Sequence, residues 1–226
     1  MREHRYQQFC GLARALDVAG DRWTLLIVRE LVPGPRRFTD LIDGLPGISR
    51  ALLTERLREL EGEGVVARQE LSPPAARQVY TLTDEGRDLA EAMSGLIAWG
   101  ARRLGEREPV ESFRARWMTV GMAALADREA ARGVSETYQY VVGGSAFHFT
   151  VDDGAVRIDD GRAPDPAVTL TTDEDTWADI VSGRITASAA VATGALRVEG
   201  DRQAAKRLGR IFGRDRIFAQ AEAAFA

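Results

Sequence analysis

Residues 45–68, LPGISRALLTERLRELEGEGVVAR, decide how the chain is read. Leu53, Leu57 and Leu60 recur at i, i+4 and i+7, the spacing of one buried helix face. Ser49 stands just before them, where a hydroxyl can accept a hydrogen bond from a free amide of the first turn. Arg50, Thr54 and Arg58 then fall together on the outward side, with Arg56 on the flank. A solvated amphipathic helix and a helix that enters a DNA groove share this pattern, so the neighbouring segments must decide between them.

Upstream lie FCGLARALDVAG (9–20) and RWTLLIVRELVPG (22–34), apolar at helical spacing and each followed by a glycine that can stop it. RRFTDLIDGLPG (36–47) reads as a short helix with Phe38, Leu41 and Ile42 on one side. Downstream, VVARQEL (65–71) and RQVYTLT (77–83) read as two strands joined by SPPAA, whose prolines suit a hairpin tip. Three helices, a capped fourth helix over 49–62 and a hairpin over 65–82 follow the order of a winged helix-turn-helix, with the fourth helix as the reader. Glu55, Glu59, Glu61 and Glu63 thicken toward the end of that helix that points away from the bases. Arg36 and Arg37 precede the third helix where phosphates can be clamped, and Arg77 near the wing tip can approach the backbone or the minor groove. Each of these arginines also reads as solvated surface charge.

Composition restricts the rest. The chain has 226 residues, 45% hydrophobic and 28% charged, with a formal net charge of −4, so it is an ordinary folded chain without overall basic character. Residues 1–108 carry 16 arginines against 17 carboxylates; a DNA-binding face must come from placement of charge. Of 30 basic residues only Lys206 is a lysine, a pattern that codon bias in a GC-rich genome produces. No apolar run is long enough to span a membrane, and MREHRYQQFC lacks the apolar core of a signal peptide, so a cytoplasmic location is expected. The single cysteine, Cys10, excludes an internal disulfide framework. No nucleophile elbow, zinc spacing, Walker loop or dinucleotide fingerprint occurs, so neither an enzyme, a cofactor nor a metal is expected.

Thr83 opens a helix, DEGRDLAEAMSGLIAWGARRL (84–104), with an apolar stripe of Leu89, Met93, Leu96, Ile97 and Leu104. Another helix is predicted over 110–132. From 135 the pattern turns to strands: YQYVV, AFHFTVDD, AVRIDDG and AVTLTT, with Asp153-Gly154 and Asp160-Gly161 as hairpin signals. DEDTWADIVSG and TASAAVATG read as helices, ALRVEG as a strand, and Asp201 as the cap of a last helix. The acidic run TTDEDT suits a helix N-terminus better than a metal site, because no His or Cys accompanies it. The expected fold is α+β: a winged helix-turn-helix and dimerisation domain over 1–105, a helical linker over 106–134, and an α+β domain over 135–226 whose mostly antiparallel sheet is covered by helices.

CGLARALDVAGDRWTLL, with Gly-x-x-Arg-Phe at 34–38, Leu-x-Gly-Ile-Ser at 45–49, Leu-x-x-Leu-x-x-x-Gly at 57–64 and VYTLTDEGRDL, resembles the HxlR-type winged-helix transcriptional regulators across residues 10–90. The resemblance implies that Ser49 to Arg58 is the recognition helix and 65–82 the wing. It further implies a homodimer joined through terminal helices, binding pseudo-palindromic double-stranded DNA with half-sites about 34 Å apart. Cys10 falls where thiol-sensing members carry a reactive cysteine. His4, Arg5 and Arg14 nearby favour a thiolate, while a small buried hydrophobe is the other reading of Cys10.

TWADIVSGRITASAAVATGALRVEGDRQAAKRLGRIF resembles the sterol carrier protein type two domain, a resemblance extending over 135–215. It implies an apolar tunnel between helices and sheet for a small lipid-like ligand, lined by Phe147, Phe149, Trp177, Ile180, Phe212 and Phe218. Each of these also reads as plain core. Phe147, Phe149 and Val151 alternate onto one face, which sends His148 to the solvent side, where it is neither ligand nor base. The expected function is a dimeric DNA-binding regulator modulated by an apolar ligand. A thiol-based sensor acting through Cys10, and a lipid carrier whose N-terminal half only dimerises, are the alternatives.

Overall fold

The Ser49 hydroxyl accepts from the Leu52 amide at 3.2 Å and starts a helix that runs Arg50–Gly62. In the computed structural model, which describes residues 6–70, 78–101, 103 and 111–213, this helix is the fourth of the chain. It follows α1 (Gly11–Ala19), α2 (Thr24–Leu31) and α3 (Phe38–Gly44), and is itself α4. Leu53, Leu57 and Leu60 are buried with Ile27, Val28 and Leu31 of α2 and Leu41 of α3. Strands β1 (Val66–Glu70) and β2 (Gln78–Leu82) pair antiparallel, from Val66↔Leu82 to Glu70↔Gln78. Thr83 Oγ1 then accepts from the Gly86 amide at 3.1 Å and opens α5 (Asp84–Ala101). At Gly86 any Cβ would land on the Val65 carbonyl oxygen, so only glycine lets this helix sit so close to the base of the wing. The chain divides into two compact units at residues 93 and 94, within α5.

Two main-chain details tie the winged unit together. Arg36 N donates to Tyr80 O at 2.9 Å and Tyr80 N donates to Arg36 O at 2.7 Å, so one residue before α3 pairs with the wing like a third strand. Glu30 of α2 is 2% exposed, ion-paired to Arg29 at 2.8 Å, and its carboxylate lies against Gly44 where a Cβ would collide with it. Burial of a carboxylate is tolerated here because a guanidinium is buried with it.

The second unit is a five-stranded sheet in the order β5-β4-β3-β6-β7, with β3 Ser135–Val142, β4 Ser145–Asp152, β5 Ala155–Asp160, β6 Val168–Thr172 and β7 Arg197–Gly200. Asp153 and Gly154 both have positive φ (44° and 88°), as a tight hairpin turn between right-twisted strands requires. Asp160-Gly161 was expected to close a second hairpin and does not. After Gly161 the chain crosses over, and β6 runs parallel to β3, pairing Tyr138↔Val168 through Val142↔Thr172. The buried Gln139 side chain secures that crossing: Nε2 donates to Phe147 O at 2.8 Å and Tyr140 O at 2.9 Å, while Oε1 accepts from Ala163 N at 2.7 Å. All other strand pairs are antiparallel, so the fold is α+β with a mostly antiparallel sheet.

Helices complete this unit: α6 (Ala115–Ala124), α7 (Glu174–Ser182), α8 (Ala187–Ala192) and α9 (Arg202–Phe212). The helix predicted over 110–132 is thus shorter than its pattern. The chain leaves it because Asp127 N donates to Ile211 O of α9 at 2.9 Å, and the Asp127 carboxylate accepts from Ala130 N at 2.9 Å to start a new turn. Asp173 and Asp201 cap α7 and α9 through Thr176 N (2.7 Å) and Ala204 N (2.6 Å). The core is aromatic. Tyr140 stacks on Phe147 at 5.3 Å and meets Phe149 and Trp177 edge-on, and Phe149 lies 4.8 Å from Phe212.

Candidate nucleic-acid interface

The helical period leaves Arg50, Ala51, Thr54, Glu55 and Arg58 exposed as one strip along α4, adjacent to the buried leucines. The Arg50 guanidinium lies over the Phe38 ring at 5.7 Å, so α3 steers the first basic side chain of α4. Thr54 Oγ1 donates to Arg50 O at 2.8 Å, which leaves its oxygen lone pairs as acceptors. Among the described residues neither Arg50 nor Arg58 forms an ion pair, so both charges stay available to an anion. Glu55 sits in the same strip and would disfavour phosphate beside it.

Arg56 differs from its expected place. One hundred degrees per residue sets it beside Leu53 and Leu60 instead of beside Arg50, and its side chain is only 17% exposed, with Nη1 on the carboxylates of Asp21 and Glu59. It joins α4 to the segment ahead of α2 and carries no free charge outward. Arg37 is exposed, and its amide donates to the Asp40 carboxylate at 3.1 Å, fixing the start of α3. Arg36 is half-buried with Nε and Nη2 shielded from solvent; its main chain braces the wing. Arg77 lies outside the described residues. Two residues of this surface were not anticipated. Arg68 on β1 packs over Tyr80 at 5.4 Å and pairs with Glu61 at 2.7 Å, joining α4 to the wing. Arg22 is exposed, with its guanidinium 5.5 Å from the Trp23 ring. The alternation in VVAR hints at the first; nothing local marks the second.

Cys10 occupies the N-cap position of α1 and is exposed, which removes the buried-hydrophobe reading. The amides of Ala13 and Leu12 hold its thiol below the usual range, because free N–H groups of a first helical turn favour the thiolate. Arg14, expected to help, instead lies 3.5 Å from Asp17, and His4 and Arg5 fall outside the described residues. Beside Cys10, Phe9 is 106% exposed, and Leu12 and Leu16 are exposed on the same helix.

The residues expected to line an apolar tunnel pack on one another instead. Phe149 is 0% and Phe147 1% exposed, and a ring bordering an open cavity would keep surface that water could touch. Tyr138 and Tyr140, expected only as strand residues, fill the space among them: Tyr138 meets Phe212 at 6.1 Å, and Tyr140 meets the rings of Phe147, Phe149 and Trp177. Trp177 and Phe212 are buried in this cluster, Ile180 is half-buried, and Phe218 lies outside the described residues. His148 is half-buried rather than solvent-facing, with Nδ1 3.3 Å from Gly161 O. At one end of β3, Glu136 accepts from Tyr138 OH (2.5 Å) and from both Nε and Nη2 of Arg207. The Arg207 hydrogen bonds hold the Glu136 carboxyl below its usual range, and burial pushes the Tyr138 hydroxyl up. Among the described residues no cluster of His, Cys, Asp and Glu could hold a metal ion, and no helix is long and apolar enough to cross a membrane.

Residues 18–108 match the family model of the HxlR-like helix-turn-helix, and residues 120–213 match that of the SCP-2 sterol transfer family. The HTH-type transcriptional regulator YvaP of Bacillus subtilis is 41% identical over 86 residues, 38% of this chain and 80% of that protein. The HTH-type transcriptional regulator YodB of the same organism is 39% identical over 85 residues, 38% of this chain and 76% of YodB. Among solved structures, diamide-treated YodB is similar at 36% identity, covering 44% of this chain and 99% of that one, with a TM-score of 0.36.

Proposed function

We propose, because this chain belongs to the HxlR-like helix-turn-helix family of transcriptional regulators, that it regulates transcription as a homodimer whose two α4 helices enter major grooves of a pseudo-palindromic operator. The observation that carries this is the division of α4 itself: leucines inward, and Arg50, Thr54 and Arg58 outward with both arginines free of ion pairs among the described residues. At the helix start Arg50 can donate in a fork to a guanine edge, Thr54 can accept from a neighbouring base, and Arg58, Arg37 and Arg22 can hold phosphates. Arg36 contributes by bracing the wing. The apolar row of Phe9, Leu12 and Leu16 supports self-association through α1, and Leu96 and Trp99 support it through the end of α5, since rings and leucines left in water gain by burial against a second copy.

In this reading residues 1–105 bind DNA and dimerise, 135–226 scaffold or sense, and 106–134, expected as a linker, contribute α6 to the sheet unit. An apolar ligand in the last segment would have to prize the aromatic cluster apart, so ligand modulation requires a second, opened arrangement that the ligand prefers. The test is recovery of DNA bound to the protein across a genome, followed by binding of the enriched fragment and of random duplex. Arg50→Ala weakens the enriched fragment by about 1–3 kcal/mol and random DNA little. Equal loss on both would make Arg50 a phosphate contact, and recovery of no DNA would overturn the reading.

A second reading is favoured by Cys10, an exposed thiol held below its usual range at the start of α1 beside the apolar row. YodB, with which this chain shares the winged unit, has been crystallised after diamide treatment. Oxidation of Cys10 would then release the operator. Under diamide, wild type lets go of its DNA and Cys10→Ser holds on; equal release by both ends this reading.

A further inference from the structure

We infer that the exposed row Arg202, Lys206 and Arg210 on α9 is a second, sequence-independent contact to the DNA phosphate backbone, made by the sheet unit. This rests on the reading above that the chain binds DNA. The three residues stand at i, i+4 and i+8, so they form one line of about 12 Å along the helix, and all three are exposed. None of them forms an ion pair among the described residues. In the same unit Arg116, Arg132, Arg157, Arg184, Arg197 and Arg207 each hold a carboxylate within 4 Å, so their charges are spent locally and those of the row are not. Along α9 the three charges stand on one line with no carboxylate between them, so their fields add.

Folding does not explain the row. Arg210 suits the last turn of α9, but Arg202 is in the first turn, at the positive end of the helix dipole, where a cation is disfavoured. The opposite side of α9 excludes one obvious polyanion. Ala204, Ile211 and Phe212 are buried in their own unit, Phe212 against Phe149. No apolar side of α9 is therefore left to enter a bilayer, as membrane-surface helices require. What remains is a purely electrostatic face, and the polyanion present whenever a regulator works is DNA.

Each phosphate neutralised by Lys or Arg steepens the fall of log K with log salt by about 0.9. The experiment measures full-length protein on a long random-sequence duplex over a range of KCl concentrations. R202Q/K206Q/R210Q makes that slope shallower by about 2–3 per protomer with the thermal midpoint unchanged, while R157Q, which removes an arginine already paired to Asp159, leaves it as in wild type. Single K206E is the second variant should the triple change lower the midpoint, and it makes the slope shallower by about 1. A folded variant with the wild-type slope overturns the inference. So does loss of binding to phosphatidylserine vesicles without change on DNA, which would assign the row to a membrane. Wild type that binds no duplex at all defeats the underlying DNA reading instead.

Discussion

α4 and α9 begin alike and end differently. Each starts on a side-chain oxygen cap, Ser49 or Asp201, and each turns an apolar side inward. In α4 the arginines are interleaved with glutamates, so Arg56 is neutralised by Asp21 and Glu59 and only part of the strip is left to meet an anion. In α9 carboxylates are confined to the cap, and Arg202, Lys206 and Arg210 add up along a line. The first arrangement suits selection, since a few directed donors can tell bases apart. The second suits attraction that ignores sequence. Their cores differ in the same sense: the winged unit is sealed by leucines from short helices, whereas the sheet unit is sealed by interlocked rings.

The contrast between the cores is broken most directly at Phe149. Phe149→Ala removes a fully buried ring and is expected to cost the sheet unit about 3–5 kcal/mol. Hydrogen exchange read separately over 6–70 and 135–213 checks this, with protection lost only in the second range; a cost below about 1 kcal/mol would mean that the ring borders open space after all. Next comes Gly86→Ala, the corresponding blow to the winged unit. Its methyl falls on the Val65 carbonyl oxygen, and the strain is expected to cost about 1–3 kcal/mol. Unchanged wing protection would show that α5 can back away freely.

The two caps sharpen the comparison of helices. Ser49→Ala and Asp201→Ala are each expected to cost about 1 kcal/mol in their own unit, measured by denaturant unfolding. A much larger loss at Asp201 would show that its carboxylate does more than cap, through Arg207 at 3.7 Å. The smallest effect is one of pH. Glu136 titrates below its unfolded value because Arg207 holds it, so its contribution is full at neutral pH and is lost as pH falls through the depressed folded value. The sheet unit therefore loosens in acid before Glu136→Gln does, relative to each protein's own neutral stability. Parallel acid curves for the two would remove Glu136 from that role.

The winged unit could be read from the chain because its signals are local. Ser49 as cap, the leucine spacing of α4, and strands on either side of the proline-rich tip all occupy the positions read for them. The strands and capped helices of the sheet unit were equally legible one by one. What local patterns could not give was set by distant partners. The parallel return of β6 depends on Gln139 gripping Ala163, and the early end of α6 depends on Asp127 reaching the last turn of α9. Within the candidate site the same division holds. Arg50 and Arg58 follow from helical period, while Arg56 and Arg36 are drawn inward by Asp21 and by the wing, neither of which is near them in sequence. The residues expected around a tunnel lie packed on one another because Tyr138 and Tyr140, read only as strand residues, add their rings to the cluster.

The pairing of Arg36 with Tyr80 has a mechanical consequence. Two hydrogen bonds make the residue that leads into α3 a splice between the hairpin and the helices. A pull on the wing is passed through that splice to α3, on whose Phe38 the Arg50 guanidinium leans. A shift of the wing is therefore felt at the first basic side chain of α4, although the two lie at different ends of the unit.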